Sequence, residues 1–480
     1  MPPNQNPSVA LLRQARQQQR SSGGGGQGGG GQSGRAAGAK GAGHAVLSRS
    51  DFYGYMVEGR YIYTPTGDLW PAKSVNTRLP AVPLVDSYGN PLLDADGNPM
   101  KIPATKWIDQ NQPVEQMTWV PGEPMLIHDR LVHKGGWKSH NGATVFNLYC
   151  PPLIVPGNAA EAQMWLDHVD KLYPDDADHI VKWLAHRRQR AHEKVNHALV
   201  LGGTQGIGKD AMMEGARHAV GAWNFLEVGP QQVMGRFNDW LKSVILRVNE
   251  ARDLGEINRY SFYDHTKSFI ASPPETLPCD EKNTKVYPIF NRCGVVITTN
   301  HKADGIFLPS DDRRHYVAWS NLTRADFVDG YWDSLWKWYA NGGYCHVAAY
   351  LDELNISKFD PKAPPPQTPA FWDIVDSNRA PEEGELKDVI EELKDPDALT
   401  LVKILTVSTG PLDDFLRDRR NRRAIPHRLE QCGYVPVRNP SATDGLWKVA
   451  AAIGGSKTRQ VIYAKASLSP RDRIAAAAAL

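Results

Sequence analysis

The rhythm of apolar and polar positions changes several times along this chain, and each change marks a segment. Residues 1–48 have almost no apolar rhythm: twelve glycines lie between Gly23 and Gly43 in a Gly/Gln/Ser background. Such a stretch cannot bury a core and is expected to be a disordered tail, apart from a transient helix at Ala10–Arg20. Residues 49–155 predict a β-rich N-terminal segment. Tyr61-Ile62-Tyr63 is a strand candidate, and Tyr88-Gly89-Asn90-Pro91 and Asp96-Gly97-Asn98-Pro99 are turn signals flanking Leu92-Leu93. Two helices follow near helical spacing, one with Met164, Trp165, Val169 and Leu172, the other with Ile180, Val181, Trp183 and Leu184. Asp175 and Asp176 suit the start of the second. From Asn196 short apolar runs alternate with helical stretches: Ala198–Leu201, Val244–Val248, Gly294–Thr299 and His315–Trp319. That alternation is the mark of a parallel α/β fold, and residues 156–357 are expected to form one domain with its helical lead-in. Pro361-Lys362-Ala363-Pro364-Pro365-Pro366 marks a linker over 358–384. Residues 385–480 predict helices at Leu386–Leu393, Leu399–Val407, Leu412–Arg420 and Arg423–Cys432. Strands follow at Tyr434–Val437, Leu446–Ala450 and Gln460–Ala464, which together suggest a winged-helix-like domain.

Composition narrows the class. Of 480 residues, 41% are hydrophobic and 22% charged, ordinary values for a globular protein. The mean hydropathy is -0.46, and no apolar run approaches the ~18 residues of a spanning helix, so no membrane partner is expected. The five cysteines are widely spaced with no Cys-x-x-Cys pair, and no signal peptide is visible, so reduced thiols and a cytoplasmic location are expected. Asp94-Ala95-Asp96-Gly97-Asn98 echoes a calcium loop but lacks its later ligands, which favours a plain turn. His128, His133 and His140 are spread along a loop-like stretch and make a weak metal candidate.

Charge is unevenly placed. Residues 1–50 hold six Lys/Arg and no Asp/Glu, and residues 411–480 hold thirteen Lys/Arg against six Asp/Glu. Residues 380–398 hold eight Asp/Glu against two Lys. Basic ends suit an anionic polymer, although solvated tails carry the same signature.

The chemistry concentrates at Gly203-Thr204-Gln205-Gly206-Ile207-Gly208-Lys209-Asp210. This is the G-x-x-x-x-G-K spacing, after a strand and before the helix Lys209–Val220. Glycines let backbone N–H groups turn inward on a phosphate, the helix N-terminus adds partial positive charge, and Lys209 reaches the β/γ oxygens. ATP is the expected cofactor, with Mg²⁺. Asp210 stands where a hydroxyl usually ligates the metal; its carboxylate could ligate Mg²⁺ or repel the phosphates. Val244-Ile245-Leu246-Arg247-Val248 ends in Asn249-Glu250, and Glu250 is the candidate that polarises the attacking water. Gly294–Thr299 ends in Asn300, which could orient that water. Asp311-Asp312-Arg313-Arg314 precedes the last strand; either arginine could place a guanidinium on transferring phosphate, or pair with its aspartates.

This ordered set resembles the superfamily III helicases of viruses and phages, and more narrowly the helicase half of phage and prophage primase-helicases. The resemblance implies an AAA+-like ring, a homo-hexamer, moving on single-stranded or forked DNA. It implies that Lys209 holds phosphate, Glu250 activates water, Asn300 senses, and Arg313 or Arg314 acts on the neighbouring subunit. It also puts DNA-contacting lysines between Glu250 and Asn300, where Lys267, Lys282 and Lys285 stand. Arg419, Arg420, Arg422, Arg423 and Arg428 cluster in the C-terminal domain and could contact DNA, with Arg420, Arg423 and Arg428 the leading candidates. Asn249 and Asp210 depart from the pattern. No convincing primase set lies upstream, so a separate primase is a possible partner. Asn249 favours the other reading, a nucleotide-dependent replication initiator or loader without unwinding.

Overall fold

The computed structural model describes residues 47–249, 259–302, 305–377, 381–418, 422, 425–450 and 457–480. The expected tail and its transient helix therefore lie almost wholly outside the described residues, as do Glu250, Arg419, Arg420 and Arg423. The chain divides into two compact units, the second made of 372–480 with the short segment 307–310.

The first unit opens with two small sheets. Strands β1 (Phe52–Tyr55), β2 (Arg60–Tyr63), β3 (Asp68–Pro71) and β4 (Pro113–Val114) form one in the order β3-β2-β1-β4. Helices α1 (Ala72–Arg78) and α2 (Ala104–Asn111) cover it, burying Val75 and Ile108 with Phe52. Strands β5 (Gln116–Thr118), β6 (Leu126–His133) and β7 (Gly136–Asn147) form the other, in the order β5-β7-β6. Between α1 and α2 the same turn occurs twice. Asp86 Oδ1 accepts from the N–H groups of Tyr88 and Asn90, and Asp94 Oδ1 from those of Asp96 and Asn98. The calcium-like stretch is thus a side-chain-closed turn. His128, His133 and His140 are exposed on β6 and β7, and no group of three potential metal ligands exists among the described residues.

Helices α3 (Gln163–Leu172) and α4 (Ala177–Gln189) lead into the core. Trp165 and Trp183 are fully buried, and each indole N–H donates to a backbone carbonyl, Met212 and His197 respectively. Asp176 holds the N-cap position of α4 but does not cap it; its carboxylate accepts the Tyr316 hydroxyl at 2.6 Å.

The core alternates strand and helix: β8 (Ala198–Gly203), α5 (Lys209–Val220), β9 (Phe225–Val228), β10 (Ile245–Val248), α6 (Arg259–Ile270), β11 (Thr276–Cys279), β12 (Tyr287–Phe290), β13 (Gly294–Thr299), β14 (His315–Ser320). Five of these strands make one sheet in the order β9-β10-β13-β8-β14, every pair parallel. Strands β8, β10 and β13 are buried at every residue, which is why they read as near-continuous apolar runs, broken in β10 by Arg247, instead of alternating ones. The antiparallel hairpin β11–β12 stands apart from that sheet. Helices α7 (Tyr331–Trp338) and α8 (Tyr344–Glu353) follow. The proline-rich stretch is tied to the core: the Pro361 carbonyl accepts from the Asn196 N–H, and the Thr368 hydroxyl donates to Val317.

The second unit carries α9 (Pro381–Glu392), β15 (Ala398–Thr400), α10 (Leu401–Leu405), α11 (Gly410–Arg417), α12 (Ile425–Gln431), β16 (Tyr434–Val437), β17 (Trp447–Ala450), β18 (Lys457–Gln460), β19 (Ile462–Lys465) and α13 (Pro470–Ala478). Its sheet runs β15-β19-β16, with β17 and β18 a separate hairpin. The helix expected over Leu399–Val407 is split. Residues 398–400 pair with β19 as a strand, and Thr400 caps the helix that follows by accepting from the Lys403 N–H. No described helix is long and apolar enough to cross a membrane.

Candidate active site

The glycine-rich loop leaves the C-terminal end of β8, an inner strand of the parallel sheet between β13 and the edge strand β14. Thr204, Gln205 and Gly206 form its exposed crest, while the Ile207 side chain is fully buried beneath it. Gly208 is the residue before α5 and has φ +97°, in the left-handed region where glycine is favoured. A Cβ there would lie 2.5 Å from the Trp332 ring and 2.7 Å from His168, so the position has no room for a side chain. Buried His168 braces the loop: its Nε2 lies 3.0 Å from the Gly208 carbonyl oxygen and its Nδ1 2.8 Å from the Tyr331 hydroxyl. Burial pushes the His168 ring below its usual range, which keeps it neutral and able to bond on both edges.

Lys209 turns back over the loop. Its ammonium donates to the carbonyls of Gly203 and Thr204 and, at 2.8 Å, to Asn300 Oδ1. Two residues 91 positions apart thus meet because β8 and β13 are parallel neighbours that end together, Gly202 beside Thr299. Burial lowers the Lys209 pKa to about 8, with the Asp210 carboxylate pulling it up and Arg247 pushing it down. Gln205, Gly206, Lys209, Asp210, Thr298 and Asn300 line a cavity of about 260 Å³ together with Arg247, Trp332 and Trp336. Asn249 ends β10 beside this cavity, its Oδ1 3.4 Å from the Thr298 hydroxyl. Glu250, next in the chain, lies outside the described residues.

Asp210 is 82% exposed in its side chain and pairs with Arg247, which also bonds Glu227 Oε1 at 3.0 Å. Nothing in the sequence pattern marks His168, Trp332 or Trp336 as part of this site. Arg247 alone gave a signal, a lone charge inside the apolar run Val244–Val248.

Arg313 and Arg314 precede β14, with Arg313 exposed and Arg314 half-buried. The buried Asp312 carboxylate accepts from the Tyr263 hydroxyl at 2.8 Å, from the Arg314 and His315 N–H groups at 2.9 Å, and lies 3.1 Å from His315 Nδ1. Burial pushes its pKa up, but the His315 ring and these donors outweigh that and hold it at about 2. Asp312 is thus held by a tyrosine, a histidine and backbone N–H groups.

The candidate DNA lysines are dispersed. Lys267 is on α6, paired with Asp264 and lying over the Tyr263 ring at 4.2 Å. Lys285, at the β11–β12 turn, donates to the Val57 carbonyl at 3.1 Å while its N–H donates to Glu58. Lys282 is exposed on the same turn. In the second unit Arg428 is half-buried on α12 and Arg422 exposed.

These features define a mixed α/β protein with a parallel sheet whose strand ends carry the candidate site. A family model described as a family of unknown function, DUF5906, matches residues 201–314, from the end of β8 to the arginines before β14. No curated protein matches the chain. Among solved structures, the apo structure of the NrS-1 C-terminal region (305–718) aligns over 85% of this chain and 95% of that one, at TM-score 0.53 and 16% identity. The A form apo structure of the same region aligns over 85% and 96%, at TM-score 0.51 and 15% identity. At such identity the likeness is one of fold.

Proposed function

We propose that this protein is an ATP-dependent DNA helicase of phage or prophage replication, built on an AAA+-like P-loop core. The observation that carries the reading is the meeting of Lys209 and Asn300 at 2.8 Å over the loop Gly203–Asp210. A cation and an amide at the ends of two central parallel strands, beside a helix N-terminus, suit a triphosphate and the water that attacks it. The backbone of Gly203–Gly208 cradles the phosphates, Lys209 pairs with the β/γ oxygens, and Asn300 and Glu250 orient and polarise water. Mg²⁺ would be held by the Asp210 oxygen that Arg247 does not take, together with phosphate oxygens: the Asp210 side chain lines the cavity and is 82% exposed, and one carboxylate plus phosphate oxygens is a usual Mg²⁺ set. When bound with the nucleotide, Mg²⁺ neutralises charge building on the transferred phosphoryl group.

The exposure of Arg313 and the anchoring of Asp312 favour Arg313 over Arg314 as the residue offered to a neighbouring subunit. Under this reading the second unit is a winged-helix-like DNA-docking domain. Its support is the basic balance of residues 411–480 and the helix–sheet–hairpin order. ATP release of phosphate, measured with and without single-stranded DNA, tests the proposal, with forked-duplex unwinding alongside. Wild type should be DNA-stimulated, and Lys209→Ala should lose about two orders of magnitude or more of turnover with an unchanged melting temperature. Turnover in Lys209→Ala at the wild-type rate refutes the site. Hydrolysis without unwinding moves the protein to the initiator or loader class.

A further inference from the structure

Arg247 sits in the middle of β10, a strand buried at all four positions. A guanidinium there is costly unless counter-charges reach it. Two do. Glu227, its register partner across the β9–β10 pair, accepts from Nη1 at 3.0 Å, and Asp210 in the first turn of α5 accepts from Nη2. Arg247 Nε is buried with no hydrogen-bond partner among the described residues. Glu227 alone could have balanced the arginine from the neighbouring strand, yet Asp210, an exposed residue on another element, is drawn to it as well.

Asp210 lies in the cavity that holds Gly206, Gly208, Lys209 and Asn300. If that cavity takes phosphates, a bare carboxylate at the head of α5 repels them and also spends part of the charge of Lys209. We infer that Arg247 is a positioning residue that compensates Asp210, so that an acidic residue can stand in a polyphosphate site without repelling its ligand. The inference rests on the nucleotide reading above. It assigns a task to a strand residue that the hydrolysis chemistry does not use: Arg247, shared with Glu227, holds the Asp210 carboxylate turned toward β10 and offsets part of its charge, so that less of the Lys209 charge is spent inside the protein and more of it faces the phosphates. A purely structural role, pinning β10 to β9 through Glu227, makes a different prediction, because Asp210 would then be a bystander.

A mutant cycle on the full-length protein separates the two. ADP binding is measured by calorimetry in EDTA, so that Mg²⁺ cannot mask the carboxylate, for wild type, Arg247→Met, Asp210→Asn and the double variant. Arg247→Met should weaken ADP binding about tenfold or more, and adding Asp210→Asn should restore it to within about threefold of wild type. A double variant that binds no better than Arg247→Met overturns the inference, as does Arg247→Met binding like wild type. Should Arg247→Met not fold, Arg247→Gln takes its place in the same cycle, with the same rescue by Asp210→Asn expected and the same absence of rescue overturning the inference. Wild type that fails to bind ADP at all refutes the nucleotide reading and the inference with it; wild type that binds with no rescue refutes the inference alone.

Discussion

Lys209 is charged at a cost. Burial holds its pKa near 8, against 10.5 for a free lysine. Below about pH 8 the ammonium persists in both folded and unfolded chains, and the burial penalty is constant. Between about 8 and 10.5 the unfolded chain keeps a proton that the folded one has released, so this group's contribution to stability improves as pH rises. Ligand affinity runs the other way, since the phosphate partner is the protonated form. The expected outcome is an ADP dissociation constant that rises about tenfold between about pH 7 and about pH 9, and a flat profile in Lys209→Arg, whose guanidinium stays charged. Calorimetric titration across that range checks it; a flat wild-type profile removes Lys209 from the phosphates. Lys209 and Asn300 were each legible as candidates because each follows an apolar strand, and strand ends are where parallel sheets bind ligands; their contact was not, since it depends on β8 and β13 being neighbours. Arg247 was not readable. Its two counter-charges come from 20 and 37 positions away, and nothing local in Val-Ile-Leu-Arg-Val announces them.

At the scale of elements, α4 brings two histidines against a third that leads into β8. His179 and His197 face each other with Nε2 atoms 3.0 Å apart, His179 stacks on Tyr316 with centroids 3.8 Å apart, and the Phe359 ring lies beside both. His186 is fully buried two turns further along α4, 3.4 Å from Glu193. Burial lowers all three, to about 4 for His179, about 3 for His197 and about 2 for His186. Lys182 adds to this at His179 while Asp178 opposes it, His179 and His315 add to it at His197, and Arg187, Arg190 and His192 add to it at His186. The unfolded chain takes up these protons near pH 6.5 and the folded one does not, so stability is full above that pH and is lost as pH falls below it. Each group adds up to ~1.4 kcal/mol per pH unit while only the unfolded form is protonated. The melting temperature should therefore fall steeply between about pH 6.5 and about pH 4, and His179→Phe, which keeps an aromatic ring against Tyr316, should shallow the slope. Equal slopes in the two proteins remove the pair from acid sensitivity. β13 was legible as an apolar run and α5 from the glycine-rich loop that opens it, and both stand over the residues so marked. The hairpin β11–β12 and β9 were not, because proline and a charged residue break their runs and tertiary pairing alone makes them strands. The Leu399 region fooled the helical pattern for a related reason, its apolar spacing serving a strand and then a helix in turn.

On the scale of the whole molecule, the proposed shared site makes a prediction that a self-sufficient site does not. Arg313→Ala and Lys209→Ala proteins should each be nearly inactive, since an arginine finger is worth about 10³–10⁵ in turnover. Mixed at fixed total protein, they should regain ATP hydrolysis, because some interfaces then join an intact loop to an intact arginine. Phosphate release at background for every ratio, with assembly verified by native mass, counts against the ring. A local structural role for Arg313 predicts a lowered melting temperature and no recovery on mixing.

The bond from Tyr263 to Asp312 ties two distant ends of this scheme. Tyr263 lies on α6 beneath the Lys267 ammonium, and its hydroxyl meets the buried carboxylate next to Arg313. Asp312 is 4% exposed, and losing the phenol would leave one of its oxygens short of a donor in a dry place. The Tyr263 phenol thus joins α6 to the loop that carries Arg313: the helix face on which Lys267 lies and the carboxylate beside the arginine are held by the two sides of one ring.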